Sequence, residues 1–191
     1  MTEPRDANRI RHQRRVMVLL FALFVVPIVA AFILYYGTNW RPTGGTNHGE
    51  LYSPARPLPA SSAPLADKKW TLLYAGDGAC DENCRRALIF ARQTRLSLNK
   101  DMERVNRVFV ATGHCCDRDY LDREHAGLVV MDVARDPRLA AVAAALPGKD
   151  RDFSLYIVDP LGNLVMRYDT RKDPRGLLDD MKKLLNLSHI G

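Results

Sequence analysis

Residues 16–36 (VMVLLFALFVVPIVAAFILYY) form a run of 21 positions without one charged side chain. At about 1.5 Å per residue, a helix of that length spans roughly 30 Å, the thickness of a bilayer's hydrocarbon core. The run is apolar on all sides, which suits lipid better than a core helix with one buried face. Tyr35 and Tyr36 close it and Trp40 stands nearby, as an aromatic belt at a membrane interface would. Pro27 lies inside and predicts a kink that a membrane helix tolerates. A cleaved signal peptide would be shorter and followed by a small-x-small site, whereas Phe-Ile-Leu-Tyr-Tyr follows Ala30-Ala31. The reading is an uncleaved single-pass anchor, with the lipid bilayer as its first partner.

Charge placement gives an orientation. Arg5, Arg9, Arg11, Arg14 and Arg15 precede the run, and only Arg41 and Arg56 follow within twenty residues. The positive-inside bias makes 1–15 a cytoplasmic tail and sends 37–191 across a bacterial-type inner membrane into the periplasm. The formal charge of +6 is concentrated outside the domain, because residues 70–191 carry 19 basic and 18 acidic groups. No basic field exists there to hold nucleic acid, so that class of partner is excluded.

Residues 37–69 read as a tether, since Gly, Pro and Ser fill 12 of the 33 positions and such a stretch buries no core. From Trp70 the pattern alternates between strands and helices. Residues 70–75 (WTLLYA) predict an apolar strand, 76–79 a turn, and 81–99 a helix. That helix carries Cys84, Ala87, Leu88, Ala91 and Leu98 on one face, with Arg85, Arg86 and Arg92 turned away. Residues 105–112 and 128–133 are further strands. Asp136-Pro137 opens a short helix that ends at Pro147-Gly148. Residues 154–158 and 164–169 flank the turn Asp159-Pro-Leu-Gly-Asn163 as a hairpin, and Asp173-Pro174 opens a last helix striped with Leu177, Leu178, Met181, Leu184 and Leu185. The order βαββαββα defines an α/β domain over 70–191, long enough to bury a core.

All four cysteines, Cys80, Cys84, Cys115 and Cys116, fall in that domain. An even number in an oxidising compartment points to disulfides or guarded thiols. Cys80-Asp-Glu-Asn-Cys84 follows the first domain strand and opens a helix. There, unpaired N–H groups and the positive dipole end favour thiolate, while Asp81 and Glu82 oppose it. The spacing of four puts both sulfurs on one helix face, within reach of a disulfide or of one soft metal ion. Cys80 precedes the helix and is expected to be the more exposed, attacking thiol, with Cys84 resolving. The alternatives are a structural disulfide or two buried reduced thiols.

These features resemble a thioredoxin-like family that includes the SCO/SenC proteins, the membrane-tethered factors of cytochrome c oxidase synthesis. The likeness rests on the anchor, residues 70–75, Cys80 and Cys84, and the hairpin Tyr156-Ile-Val-Asp-Pro-Leu-Gly162. It implies a thioredoxin-like fold, copper or thiol–disulfide handling, and oxidase subunits or other assembly factors as partners. The chain departs from the family in three places. Asp81 and Arg85 stand where a proline usually follows each cysteine. No histidine occurs in 149–153 (KDRDF), where the family carries its third copper ligand. A cis-proline before the hairpin strand is also missing, Pro147 being too far upstream.

His114-Cys115-Cys116 follows the strand 105–112. If that strand runs parallel to 70–75, both cysteine pairs share the rim of C-terminal strand ends where such sheets bind ligands. The cluster would then supply soft copper ligands or resolving thiols to Cys80 and Cys84. A vicinal or cross-linking structural disulfide is the alternative. His125, in the charged segment Asp122-Arg-Glu-His125, is expected on a solvated surface. The functional expectation is a membrane-tethered factor for thiols or copper in oxidase assembly. A metal-independent thiol–disulfide oxidoreductase and a non-catalytic scaffold remain as alternatives.

Overall fold

The computed structural model describes residues 4–37, 46–60, 65 and 67–188, and the chain divides into two compact units, Met1–Gly45 and Thr46–Gly191. Among its described residues the first unit is a single helix, α1 (Pro4–Gly37). Its stretch Ile10–Gly37 is long and apolar enough to cross a membrane and none of it is buried. The helix thus starts well before residue 16, because the arginine-bearing segment has no breaker after Pro4. Trp40, Arg41 and much of the expected tether lie outside the described residues.

The second unit is built on one six-stranded sheet in the order β1-β6-β5-β2-β3-β4. Its strands are β1 (Glu50–Pro57), β2 (Trp70–Asp77), β3 (Val105–Gly113), β4 (Val129–Asp132), β5 (Ser154–Val158) and β6 (Asn163–Asp169). β2, β3 and β4 run parallel, and β5, β6 and β1 add on antiparallel. Helices α2 (Glu82–Ser97), α3 (Arg118–Glu124), α4 (Arg138–Ala145) and α5 (Pro174–Leu187) connect or flank them.

The strand alternation sorts the core into two layers. Leu72 and Tyr74 of β2, Phe109 and Ala111 of β3 and Leu155 and Ile157 of β5 point toward α2 and α5. Leu73, Ala75, Val108, Val110, Tyr156 and Val158 point the other way, toward Leu139 and Val142 of α4. β2 is central and buried on both faces, so its near-continuous apolar run is what a doubly covered strand requires. Each fully buried Leu or Phe contributes about 2 kcal/mol. The helix ends follow capping chemistry. The Asp81 side chain accepts the Cys84 N–H at 2.9 Å and caps α2. Asp173 caps α5 ahead of Pro174, and Leu177, Met181 and Leu185 are its buried stripe.

Three expectations need correction. The tether reading fails for residues 50–57, which form β1 and pair with β6. Tyr52 alone of that strand is buried, so its pattern carries no alternation. Residues 118–124 form α3, a helix not foreseen. His125 at its end is not on a solvated surface: it is 2 % exposed, and its Nε2 lies 3.0 Å from the Tyr120 hydroxyl.

Candidate functional site

β2 and β3 are parallel neighbours, so both cysteine loops leave the sheet at one rim. The backbone joins them directly. Gly78 N–H donates to Gly113 C=O at 2.9 Å, and Asp117 N–H donates to Gly78 C=O at 3.2 Å. A Cβ on Gly78 would stand 2.6 Å from the Cys115 Cα and 2.7 Å from the Gly113 oxygen, so only glycine allows this approach. The Cys80 N–H donates to Asp77 C=O at 3.1 Å, and Cys80 adopts φ +51°, which turns the chain sharply into α2.

The four sulfurs form two disulfides, Cys80–Cys84 with Cα atoms 5.0 Å apart and Cys115–Cys116. Cys80 and Cys84 are core residues, and Cys115 and Cys116 pack half-buried against the same cluster. The expected exposure of Cys80 ahead of Cys84 is not found, since the two are 1 % and 2 % exposed. Both side chains turn into the core layer beneath α2, while Asp77, Ala79 and Asp81 around them stay exposed. The second pair is the accessible one.

Arg85 ties the two loops together through side chains. Its Nε donates to the Cys80 C=O at 3.2 Å, its Nη2 stands 3.6 Å from Asp117, and its guanidinium lies over the Tyr120 ring at 4.7 Å. Asp117 also caps α3 by accepting the Tyr120 N–H at 3.2 Å. Asp77 accepts the Ala79 N–H at 2.8 Å and lies 3.1 Å from the His114 Nδ1. The Ala79 N–H first, and then the imidazole, hold the Asp77 carboxyl below its ordinary range. Beneath the loops, burial and then the Asp81 and Asp152 carboxylates push the Tyr74 hydroxyl's pKa upward. Arg85, Asp117 and Tyr120 were missed in the sequence, where a basic residue on the polar helix face and an acidic residue in a charged run carried no distinguishing signal.

A copper ion would need soft donors that this set does not present together. The His114 ring is 87 % exposed and engaged by Asp77, the thiols are consumed in disulfides, and the turn 151–153 offers Arg-Asp-Phe in place of a histidine. Among the described residues no three His, Cys, Asp or Glu side chains converge as a metal-holding group. The expected joint ligand set of Cys80, Cys84, His114, Cys115 and Cys116 does not form.

A mixed sheet covered on both faces, with a Cys-x-x-x-Cys disulfide where the first parallel strand enters its helix, defines a thioredoxin-like domain. The sequence model of the transmembrane-like, thioredoxin-like C-terminal domain family matches residues 70–188, and the chain belongs to that family. Among solved structures, the chain is similar to the apo Sco1 protein from Thermus thermophilus. That match has a TM-score of 0.53 and 17 % identity, covering 74 % of this chain and 99 % of the other. Arabidopsis thaliana ScoI with copper bound matches with a TM-score of 0.51 and 22 % identity over 65 % of this chain and 88 % of its own. Yeast Sco1 with copper bound matches with 0.50 and 15 % over 62 % and 78 %. At these identities the likeness is one of fold. No curated protein matches the sequence.

Proposed function

We propose that the protein is a membrane-tethered thiol–disulfide exchange factor serving the assembly of cytochrome c oxidase. The observation that carries the exchange chemistry is the pair of disulfides on two mutually hydrogen-bonded loops at the ends of adjacent parallel strands. The oxidase connection is supported by the layout shared with SCO/SenC proteins. The anchor, with its arginines on the N-terminal side, supports a cytoplasmic tail over 1–15, a membrane span over 16–36 and a periplasmic domain.

The burial pattern supports an order of events. A thiolate of an incoming protein dithiol attacks the half-buried Cys115–Cys116 bond and forms a mixed disulfide. The partner's second thiol displaces it, leaving the partner oxidised and Cys115 and Cys116 as thiols; two electrons and two protons have moved. The same exchange between that dithiol and Cys80–Cys84 re-forms the outer disulfide and reduces the buried pair. Structures of the same fold with copper bound favour a second reading, in which the reduced Cys80 and Cys84 carry Cu(I) as cargo on two sulfurs.

The test uses the full chain in uncharged detergent, equilibrated with graded thiol redox buffers, alkylated and read by mass spectrometry. Both pairs should titrate as two-electron couples above about −300 mV, and potentials well below that would mark structural bridges and end the exchange reading. Replacing Cys115 and Cys116 by Ser should slow reduction of Cys80–Cys84 by about tenfold or more, since the buried pair loses its accessible entry. Tight 1:1 Cu(I) binding that survives this variant but not Cys80→Ser/Cys84→Ser would establish the cargo reading. Oxidase assembly unaffected by either double variant would leave only a scaffold.

A further inference from the structure

A second site lies under the other end of α2. Arg107 follows the alternation of Val105, Phe109 and Ala111, so its side chain enters the face of β3 that α2 covers. Arg107 is 4 % exposed. One Nη2–H reaches the Ala126 C=O at 2.6 Å, whereas the buried Nε and Nη1 have no hydrogen-bond partner. A guanidinium is a donor only, so each unmatched N–H demands an acceptor that the described residues do not provide.

The charges around it make that demand stronger. Arg92, Arg95, Arg107 and Arg123 line one cavity of about 240 Å³, together with Glu124 and Ala126. Glu124 is engaged by Arg123 at 3.3 Å, and Arg95 donates to the Val105 C=O and to Glu103. Among the described residues no carboxylate pairs with Arg107. Burial, followed by repulsion from Arg95 and Arg92, lowers its pKa to about 10, which leaves it charged at neutral pH. An unpaired buried cation is strongly unfavourable, and a cluster of like charges adds to that cost. Glu103 and Glu124 answer Arg95 and Arg123, so Arg92 and Arg107 remain as a surplus of two positive charges, which suits a dianion better than a carboxylate.

We propose that this cavity binds a dianionic phosphate group, either inorganic phosphate or the terminal group of a phosphate monoester, with Arg107 as the buried donor. Arg92 and Arg123 are exposed and stand at the mouth, and a tetrahedral oxyanion offers acceptors to several guanidinium groups at once. The assignment is independent of the cysteine chemistry.

Calorimetric titration of the full chain in uncharged detergent at pH 7 tests it, using inorganic phosphate, dihexanoyl phosphatidic acid and, as a control, dihexanoyl phosphatidylcholine. One equivalent of phosphate should bind, about tenfold or more weakly in Arg107→Met and several-fold more weakly in Arg92→Ala and in Arg123→Ala. The two exposed variants keep the test decisive if Arg107→Met fails to fold. Equal affinity for phosphate and phosphatidic acid would identify a free phosphate-sized ligand, and a clear preference for the latter a lipid headgroup. Absence of binding at ~10 mM of both anions would overturn the proposal, as would unchanged affinity in the variants.

Discussion

The two ends of α2 meet the same core layer with opposite polar arrangements. Around the cysteines, donors and acceptors are matched within the domain: Asp81 caps the helix, the two loops exchange backbone hydrogen bonds, and Arg85 spans a carbonyl, a carboxylate and a ring. Under the far end, two nitrogens of Arg107, Nε and Nη1, and the His125 Nδ1 have no partner among the described residues. A matched network fixes geometry, as suits sulfur exchange, in which atoms must meet along a line. An unmatched one holds free energy that a ligand can recover.

Breaking the matched end should have the largest effect. Gly78→Ala forces a Cβ into the backbone of the second loop, and an overpacked contact of this kind costs about 3 kcal/mol. Urea melts should show that loss together with separation of the two loops, and wild-type stability would mean that the loops do not need their close approach. At the unmatched end, burial first, and then Arg107 and Arg92, push the His125 pKa down to about 4, with Glu124 opposing. The unfolded chain therefore binds this proton more readily than the fold does. Stability should be complete above about pH 6.5 and decline as pH falls toward 4, by about 2 kcal/mol between pH 7 and pH 5. His125→Phe should flatten that part of the profile, and equal slopes for variant and wild type would remove His125 from the account. The smallest effect belongs to the α2 cap. Asp81→Ala should cost about 1 kcal/mol in the same melts, with the amide resonance of Cys84 reporting the lost bond.

Much of the fold was legible because its signals are local. The run Trp70–Ala75, the stripe of α5 and its Asp173-Pro174 start each specify one element and appear where expected, while the helix after Asp136 begins one residue later, with Pro137 as its N-cap. β1 was not legible, since Pro54 and Pro57 and a single inward side chain give an edge strand the composition of a linker. The cysteine positions were readable, but not their exposure, which depends on how the side chains turn into the core and on a second loop 35 residues further on that pairs with the first. Arg107 is the instructive miss. Its place two residues from Val105 and Phe109 put it on the face of the strand that α2 covers.

β1 also decides what counts as the domain. The Asp180 carboxylate on α5, itself 2 % exposed, receives the His48 N–H at 3.0 Å and the Gly49 N–H at 2.7 Å just before the strand begins. A soluble fragment cut at Trp70 would strip the outer edge of β6, leaving an open row of backbone groups for other copies to pair with. It would also leave a carboxylate stranded without its two donors. A truncation that respects the molecule keeps Thr46 onward, and the residues that look like spacer are its seal.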